Sequence, residues 1–277
     1  FPGQGAQSKG MGKELFPQFE EHTALADKML GSSIETLCTQ DPEKLLNNTK
    51  YTQPALYVVN ALTYLKTVED TGQRPDYVAG HSLGEYNALF AAEVFDFATG
   101  LALVQKRGEL MSEAKAGSMA AVLGLNEQEL TDLLARNHLM TVNIANYNSY
   151  QQLVISGPAT DISRAEKILA TNAKARVIPL SVSGAFHSNA MLEAQQHFAV
   201  FLEQFEFSVP QIPIISNINA ALYHPAVIKQ YLSHQITHPV EWTKIIEFLQ
   251  SKTSMAFKEI GPGTVLTGLL KRIGNGE

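Results

Sequence analysis

The pentapeptide Gly80-His81-Ser82-Leu83-Gly84 carries the strongest signal in the sequence. It follows a short apolar run, 77–79, and precedes a segment of helical composition, 85–92. A strand, a sharp turn with a glycine two residues either side of a serine, and a helix are together typical of a nucleophile elbow. Such a turn presents the hydroxyl at a helix N-terminus, where backbone N–H groups can stabilise an oxyanion. The pattern predicts Ser82 as a nucleophile; the alternative is a chance pair among 19 glycines.

The composition restricts the class of protein. With 277 residues, of which 45% are hydrophobic and 17% charged, we expect a soluble globular protein with a large core. A net charge of −6 argues against nucleic-acid binding through phosphate neutralisation. The chain has no apolar run long enough to cross a membrane, and its single cysteine, Cys38, suits a reducing compartment. We therefore expect a cytoplasmic protein. We also expect a monomer, and a few further residues before Phe1 because the sequence does not begin with Met.

The order of predicted elements divides the chain. Residues 116–182 show the order β-α-β-β-α-β, which is typical of a small ferredoxin-like domain. The polar stretch 146–149 is predicted to be the turn between its two middle strands. Residues 1–115 and 183–277 are predicted to form one large α/β-hydrolase-like domain with a mainly parallel sheet, into which the small domain is inserted.

A serine hydroxyl needs a neighbouring base. Among the eight histidines, His81 adjoins Ser82, but adjacent residues at a turn usually point apart, so we expect it at the mouth of the site. His187 follows a predicted strand and lies in a turn of small residues. It is the favoured base, and the alternative is a partly buried histidine that packs between the two domains.

Four short motifs, spaced along the whole chain, carry a family resemblance. They are Phe1-Pro2-Gly3-Gln4-Gly5, Gly80-His81-Ser82-Leu83-Gly84, Gly184-Ala185-Phe186-His187 and Gly261-Pro262-Gly263. In this order and spacing the chain resembles the malonyl-CoA:acyl-carrier-protein transacylases, the acyltransferases of fatty-acid and polyketide synthases.

The resemblance implies a role for each matching residue. Ser82 would be the nucleophile and His187 the general base. A main-chain carbonyl at Gln235 would orient the histidine, with no acidic third member. The backbone N–H groups of Gln4 and Leu83 would form the oxyanion hole.

The substrate pocket is also carried over from the family. It would be lined by His81, Met111, Asn146 and Phe186, with Asn146 near the thioester and pantetheine. A bulky residue at Phe186 is common in the family when the extender unit is malonyl. No metal and no cofactor are expected; the substrates would be malonyl-CoA and a phosphopantetheinylated acyl carrier protein.

Arg107 is the residue that would select the acyl group. In an anonymous helix it would be a solvated arginine like its neighbour Lys106. The resemblance instead places it facing the acyl pocket, where a guanidinium can bind the free carboxylate of malonyl in a bidentate manner.

The predicted function is therefore transfer of malonyl from malonyl-CoA to the carrier thiol through malonyl-Ser82. An acyl hydrolase that clears stalled carrier proteins would use the same Ser82 and His187 but would not need Arg107. A non-catalytic docking module would need none of them. The continuation Gly84-Glu85-Tyr86 resembles free-standing acyltransferases of polyketide synthases, and a fatty-acid pathway remains the alternative. Candidate contacts to the acidic carrier, or to carrier domains of a polyketide synthase, are Lys115, Lys244, Lys271 and Arg272.

Overall fold

The computed structural model describes residues 1–114, 117–182, 184–252 and 255–277, a mixed α/β chain with many helices and a small antiparallel sheet. Outside 117–182 the α-helices are α1 (Glu20–Leu30), α2 (Ile34–Thr39), α3 (Thr49–Thr71), α4 (Gly84–Ala91), α5 (Phe97–Glu113), α8 (Leu192–Leu202), α9 (Ile228–His234), α10 (Trp242–Gln250) and α11 (Val265–Gly274). Short 3-10 helices lie at Leu45–Asn47, Asn189–Met191 and Pro225–Val227. Across the described ranges, none of the helices is both long and apolar enough to cross a membrane.

The segment 117–182 builds a four-stranded antiparallel sheet with two helices. Its elements are β1 (Gly117–Leu123), α6 (Glu127–Arg136), β2 (Asn143–Ser149), β3 (Gln152–Pro158), α7 (Ala159–Leu169) and β4 (Arg176–Pro179). The strand order is β2-β3-β1-β4, and every neighbouring pair is antiparallel. A capping box between Asn126 and Glu129 starts α6. Leu130, Ile155 and Ile162 belong to a hydrophobic core separate from that of the helices around α3.

Outside that sheet, the extended segment that precedes Ser82 lies between two other extended segments, one at Phe1 and one at Ile214. Val78 forms a parallel bridge with Ile214. On the other side of the same segment, the Phe1 amino group donates to the Ala79 carbonyl at 2.8 Å and the His81 N–H donates to the Phe1 carbonyl at 3.0 Å. These contacts are where the predicted parallel sheet would lie, and its completion into a continuous sheet stays a prediction.

Two glycines allow α5 to pack closely on α3. A Cβ at Gly100 would lie 2.0 Å from the Tyr57 hydroxyl, and one at Gly108 would lie 3.0 Å from the Thr49 carbonyl oxygen. Because both positions lack a side chain, the helix backbones approach closely. The close approach brings the buried Arg107 of α5 against the first turns of α3.

Strand β2 connects the small sheet to the rest of the chain. The Val240 N–H donates to the Ala145 carbonyl, and the Tyr147 N–H donates to the Val240 carbonyl, both at 2.9 Å. The Thr243 hydroxyl donates to the Tyr147 carbonyl at 2.9 Å. The predicted domain boundaries fall at residues 115, 116 and 183, which lie outside the described ranges.

Candidate active site

Ser82 lies on a tight turn that leads into α4. Its φ of 50° is in the left-handed region, which is uncommon for a residue with a side chain. A Cβ at Gly80 would lie 1.9 Å from the Gly84 carbonyl carbon, and one at Gly84 would lie 2.2 Å from the Phe1 carbonyl oxygen. Only glycine fits either position, so the elbow pattern of the sequence has a steric cause. The Ser82 N–H donates to Asn217 Oδ1 at 2.7 Å, which holds the turn from outside.

His187 lies beside the Ser82 hydroxyl. The distance from Ser82 Oγ to His187 Nε2 is 2.8 Å. On the other side of the ring, Nδ1 lies 2.8 Å from the Gln235 carbonyl oxygen and 3.1 Å from the His238 carbonyl oxygen. Because carbonyl oxygens only accept, Nδ1 carries the proton of the neutral ring and Nε2 is free to accept from Ser82.

The environment keeps this imidazole neutral. His187 is buried, and burial lowers its pKa to about 3, with the Arg107 charge as the second cause. The two carbonyls act in the opposite direction by favouring the protonated ring. At neutral pH the ring is therefore unprotonated and available as a base.

Arg107 reaches the same hydroxyl from α5. Its Nη2 donates to Ser82 Oγ at 3.1 Å and to Gln235 Oε1 at 2.8 Å. Its Nη1 donates to Gln53 Oε1 at 2.8 Å. The side chain is only 1% exposed, so it is not the solvated arginine of the alternative interpretation. The guanidinium also lies 5.5 Å from the centre of the Tyr86 ring.

Gln235 contributes its side chain as well as its carbonyl. The Nε2 group donates to the Ser82 carbonyl at 2.9 Å and also to a carboxylate oxygen of Glu85. The other Glu85 oxygen accepts the Asn217 N–H at 2.7 Å. Burial raises the pKa of Glu85 to about 7, although these hydrogen bonds favour its charged form. One buried carboxylate thus joins the segment that holds Ser82 to the segment that orients His187.

Gln4 and Leu83 lie on neighbouring segments. A Cβ at Gly3 would be 3.6 Å from the Leu83 nitrogen, so the two loops run side by side. The Gln4 side chain is fixed by Thr49, with 3.1 Å between Nε2 and Oγ1. Among the described residues, none accepts the backbone N–H of Gln4 or of Leu83.

Of the predicted pocket residues, His81 and Met111 lie next to the site, and Asn146 corrects the predicted secondary structure. His81 Nε2 lies 2.8 Å from Asn148 Oδ1, and burial lowers the His81 pKa to about 4. Asn146 is buried within β2, whereas residues 146–149 were expected to form a turn. The strand continues there because Tyr147 pairs with Val240 and bulges adjust the register to β3. Met111 is buried, and its sulfur accepts from Gln53 Nε2 at 3.4 Å.

Phe186 is buried in the large core next to His187.

Of the basic residues considered for carrier binding, Lys244 pairs with Glu241 at 2.9 Å and Arg272 with Glu277 at 3.5 Å. Lys271 is exposed, and Lys115 lies outside the described residues.

Sequence reasoning missed Gln53, Glu85 and Asn217. Glu85 directly follows the elbow, and Asn217 comes two residues after the apolar run 212–215, so a polar residue at the end of an apolar run was the available signal. Gln53 begins an apolar helical pattern and gave no local indication of its contact with Arg107.

Comparisons with known proteins agree on one family. The family model of the acyl transferase domain matches residues 1–275. The polyketide biosynthesis malonyl CoA-acyl carrier protein transacylase PksC of Bacillus subtilis is 55% identical over 274 residues, which cover 99% of this chain and 95% of PksC.

Solved structures are similar over the same length. The malonyl CoA-acyl carrier protein transacylase of Burkholderia pseudomallei is 48% identical with a TM-score of 0.98, and the match covers 100% of this chain and 97% of that one. A malonyl-transacylase in complex with its type II polyketide synthase acyl-carrier protein is 38% identical with a TM-score of 0.94, over 100% of this chain and 92% of that one. A full-length family match and a relative above 50% identity leave no doubt about the assignment: the chain belongs to the acyl transferase domain family.

Proposed function

We propose that this acyltransferase moves a malonyl group from malonyl-CoA to the phosphopantetheine thiol of an acyl carrier protein, and that it serves polyketide synthesis. The single observation that carries the proposal is the buried Arg107 guanidinium 3.1 Å from the Ser82 hydroxyl, which is itself 2.8 Å from a neutral histidine. A cation at that distance from a nucleophile suits an acyl group that ends in a carboxylate. The relatives named for malonyl transfer in polyketide biosynthesis support the same substrate and pathway.

The first half-reaction forms an ester. Ser82 Oγ attacks the thioester carbonyl carbon and passes its proton to His187 Nε2. The N–H groups of Gln4 and Leu83 donate to the oxyanion that forms. The carbon–sulfur bond then breaks, the CoA sulfur takes the proton from His187, and malonyl-Ser82 remains.

The second half-reaction repeats these steps with another thiol. The carrier's pantetheine thiol gives its proton to His187 and attacks the ester carbonyl. The bond to Ser82 Oγ breaks, and the serine recovers its proton from His187. Each step uses groups of this chain and of the two substrates, and the proposal requires no cofactor.

We also infer the finer fold. The order β2-β3-β1-β4, in which α6 and α7 each connect two strands that have a third strand between them, supports a ferredoxin-like domain over 116–182. The short parallel contacts of Phe1, Val78 and Ile214 support a hydrolase-like domain over 1–115 and 183–277.

The nucleophile is tested by labelling. Ser82→Ala should lose all stable label after incubation with radiolabelled malonyl-CoA, and transfer to a carrier protein should stop. Ser208→Ala removes an exposed serine and is the matched control. Label on the Ser82→Ala protein would refute the assignment.

The carboxylate contact is tested by substrate choice. Arg107→Ala should reduce malonyl-CoA loading about 100-fold or more relative to acetyl-CoA loading, because a buried charged contact of this kind is worth about 2–5 kcal/mol. Equal losses with both thioesters would exclude the contact. Rapid release of free acid instead of transfer to the carrier would favour the acyl hydrolase.

A further inference from the structure

Two amide side chains hold the Arg107 guanidinium, and no acidic side chain does. The Gln53 and Gln235 Oε1 atoms each accept from it at 2.8 Å. Within the described ranges no carboxylate oxygen comes within 4.0 Å of an Arg107 nitrogen. The Arg107 Nε–H is buried and has no hydrogen-bond acceptor among the residues that the structure describes. The guanidinium is therefore oriented by neutral acceptors. The buried Glu85 contacts Gln235 and acts on Arg107 only through its charge, without forming an ion pair with it.

The orientation of both amides is determined by their other contacts. Gln53 Nε2 lies 3.4 Å from the Met111 sulfur. Gln235 Nε2 donates to the Ser82 carbonyl and to Glu85. With each NH2 group engaged in this way, each amide presents only its oxygen to Arg107.

A carboxylate at either position would have a similar shape but a different effect. It could accept the same hydrogen bond, and buried arginine is usually paired with such a group. It would also cancel the charge that a substrate carboxylate needs. Gln53 suits this comparison because, among the described residues, the other hydrogen bond of its side chain is with Met111, whereas Gln235 also supports Ser82 and Glu85.

We propose that Gln53 is a specificity-determining residue, which with Gln235 holds Arg107 through neutral acceptors so that its positive charge is reserved for the carboxylate of the acyl group. This inference rests on the proposed malonyl transfer. It assigns to Gln53 a role in selecting charged over neutral acyl groups and not a role in bond making.

The test compares loading of Ser82 by malonyl-CoA and by malonamyl-CoA, in which a neutral amide replaces the free carboxylate. Gln53→Glu should lower the ratio of the two kcat/KM values by about 100-fold, since it neutralises a buried charged contact. Gln53→Met removes the acceptor and adds no charge. It should slow loading but keep the ratio within about threefold of the wild type, because the charge on Arg107 persists. Gln105→Glu adds the same charge to the partly exposed side of α5 and is the matched control.

Each outcome decides the proposal. An unchanged ratio in Gln53→Glu would overturn it, and so would a fall in Gln53→Met as large as that in Gln53→Glu, since orientation alone would then explain selection. If Gln53→Glu does not fold, as judged by its thermal transition, the Gln53→Met ratio still supports or overturns the role of charge. Arg107→Ala distinguishes a failure of the proposed malonyl contact from a failure of the inference about Gln53. If it leaves the ratio unchanged, the proposed malonyl contact fails; if it lowers the ratio while Gln53→Glu does not, only this inference fails.

Discussion

Ser82 and His187 both have a backbone conformation that non-glycine residues rarely adopt. Their φ values are 50° and 56°. A side chain in the left-handed region costs about 1–2 kcal/mol, and such residues persist where the surrounding structure determines them. Here Asn217 holds the Ser82 turn, and the Ile236 carbonyl accepts the His187 N–H at 3.1 Å. These two residues are the ones placed to exchange a proton.

Replacing His187 with glutamine should make the fold less sensitive to acid. The His187 pKa is about 3 in the folded protein and 6.5 in an ordinary histidine, so between these values the unfolded chain binds more protons. Stability that is present above pH 6.5 is therefore lost as the pH falls, by about 1.4 kcal/mol per pH unit for this one residue. Urea unfolding at pH 7, 6 and 5 should show the difference between the two proteins moving in favour of His187→Gln. Parallel curves would contradict it.

The glycine spacing of the sequence predicts the turn that holds Ser82, because the turn has a steric reason. His187 and Arg107 are predicted as site residues mainly through the family resemblance, since Arg107 in an anonymous helix would be a solvated residue. Gln53, Glu85 and Asn217 could not be found in this way. Their partners are 54, 150 and 135 positions away along the chain, and a polar residue at the start of a helix usually faces water. The packing of α3 against α5, and of the segments around Asn217 and Gln235 against the elbow, gives these three residues their roles.

At the scale of elements, the first turns of α3 organise two parts of the site. Thr49 and Gln53 are four residues apart and therefore share one face of the helix. Thr49 holds the Gln4 side chain, and Gln53 holds Arg107. One helix face thus fixes the loop that would supply the oxyanion hole and the cation that would bind the acyl carboxylate.

Replacement by alanine should change the free energy of unfolding in opposite directions at the buried Gly100 and at the exposed Gly268. Gly100→Ala should destabilise the protein by about 1–3 kcal/mol, because its Cβ would meet the Tyr57 hydroxyl at 2.0 Å and overpack the α3–α5 contact. Gly268→Ala in α11 meets no atom within 4 Å and should stabilise by about 0.5–1 kcal/mol through helix propensity. Chemical denaturation measures both. A gain in both variants would show that the helix contact tolerates a side chain.

The spacing of Gly80 and Gly84 around Ser82 predicted the elbow correctly. The turn expected at 146–149 was wrong because its polar residues resemble a loop when read alone. In the fold these residues continue β2, since the strand gains a second partner at Val240. A strand edge that pairs with a distant segment leaves no local mark on the sequence.

On the scale of the whole molecule, the described residues form three hydrophobic cores, and the small sheet contributes to two of them. Leu130 lies in the core of the small sheet, and Leu62 lies in the larger core around α3. Strand β2 crosses between them through its hydrogen bonds to Val240, and Asn148 extends the connection to His81. Met119, Ala121 and Val154 on the sheet also pack into the larger core, so only the side around Leu130 is expected to open as a unit separate from α3 and α5.

Hydrogen exchange measured by mass spectrometry should distinguish these units. Leu130→Ala removes buried contacts worth about 2–5 kcal/mol and should accelerate exchange in β1 and β3 while α3 and α5 keep their protection. Leu62→Ala, with the same change in the other core, should show its largest effect in α3 and α5. Equal acceleration in all four elements for either variant would mean that the chain opens as a single unit.

Arg107 and His187 contact the Ser82 hydroxyl from two directions, at 3.1 and 2.8 Å. In the free enzyme the arginine charge is the second cause, after burial, of the low pKa of His187. A malonyl carboxylate bound to Arg107 would neutralise that charge, so the imidazole would become a stronger base as the thioester arrives. An acetyl group would leave the base weak. Discrimination would then be expressed in the rate of ester formation as well as in binding, because the malonyl carboxylate would strengthen the base that its own transfer requires.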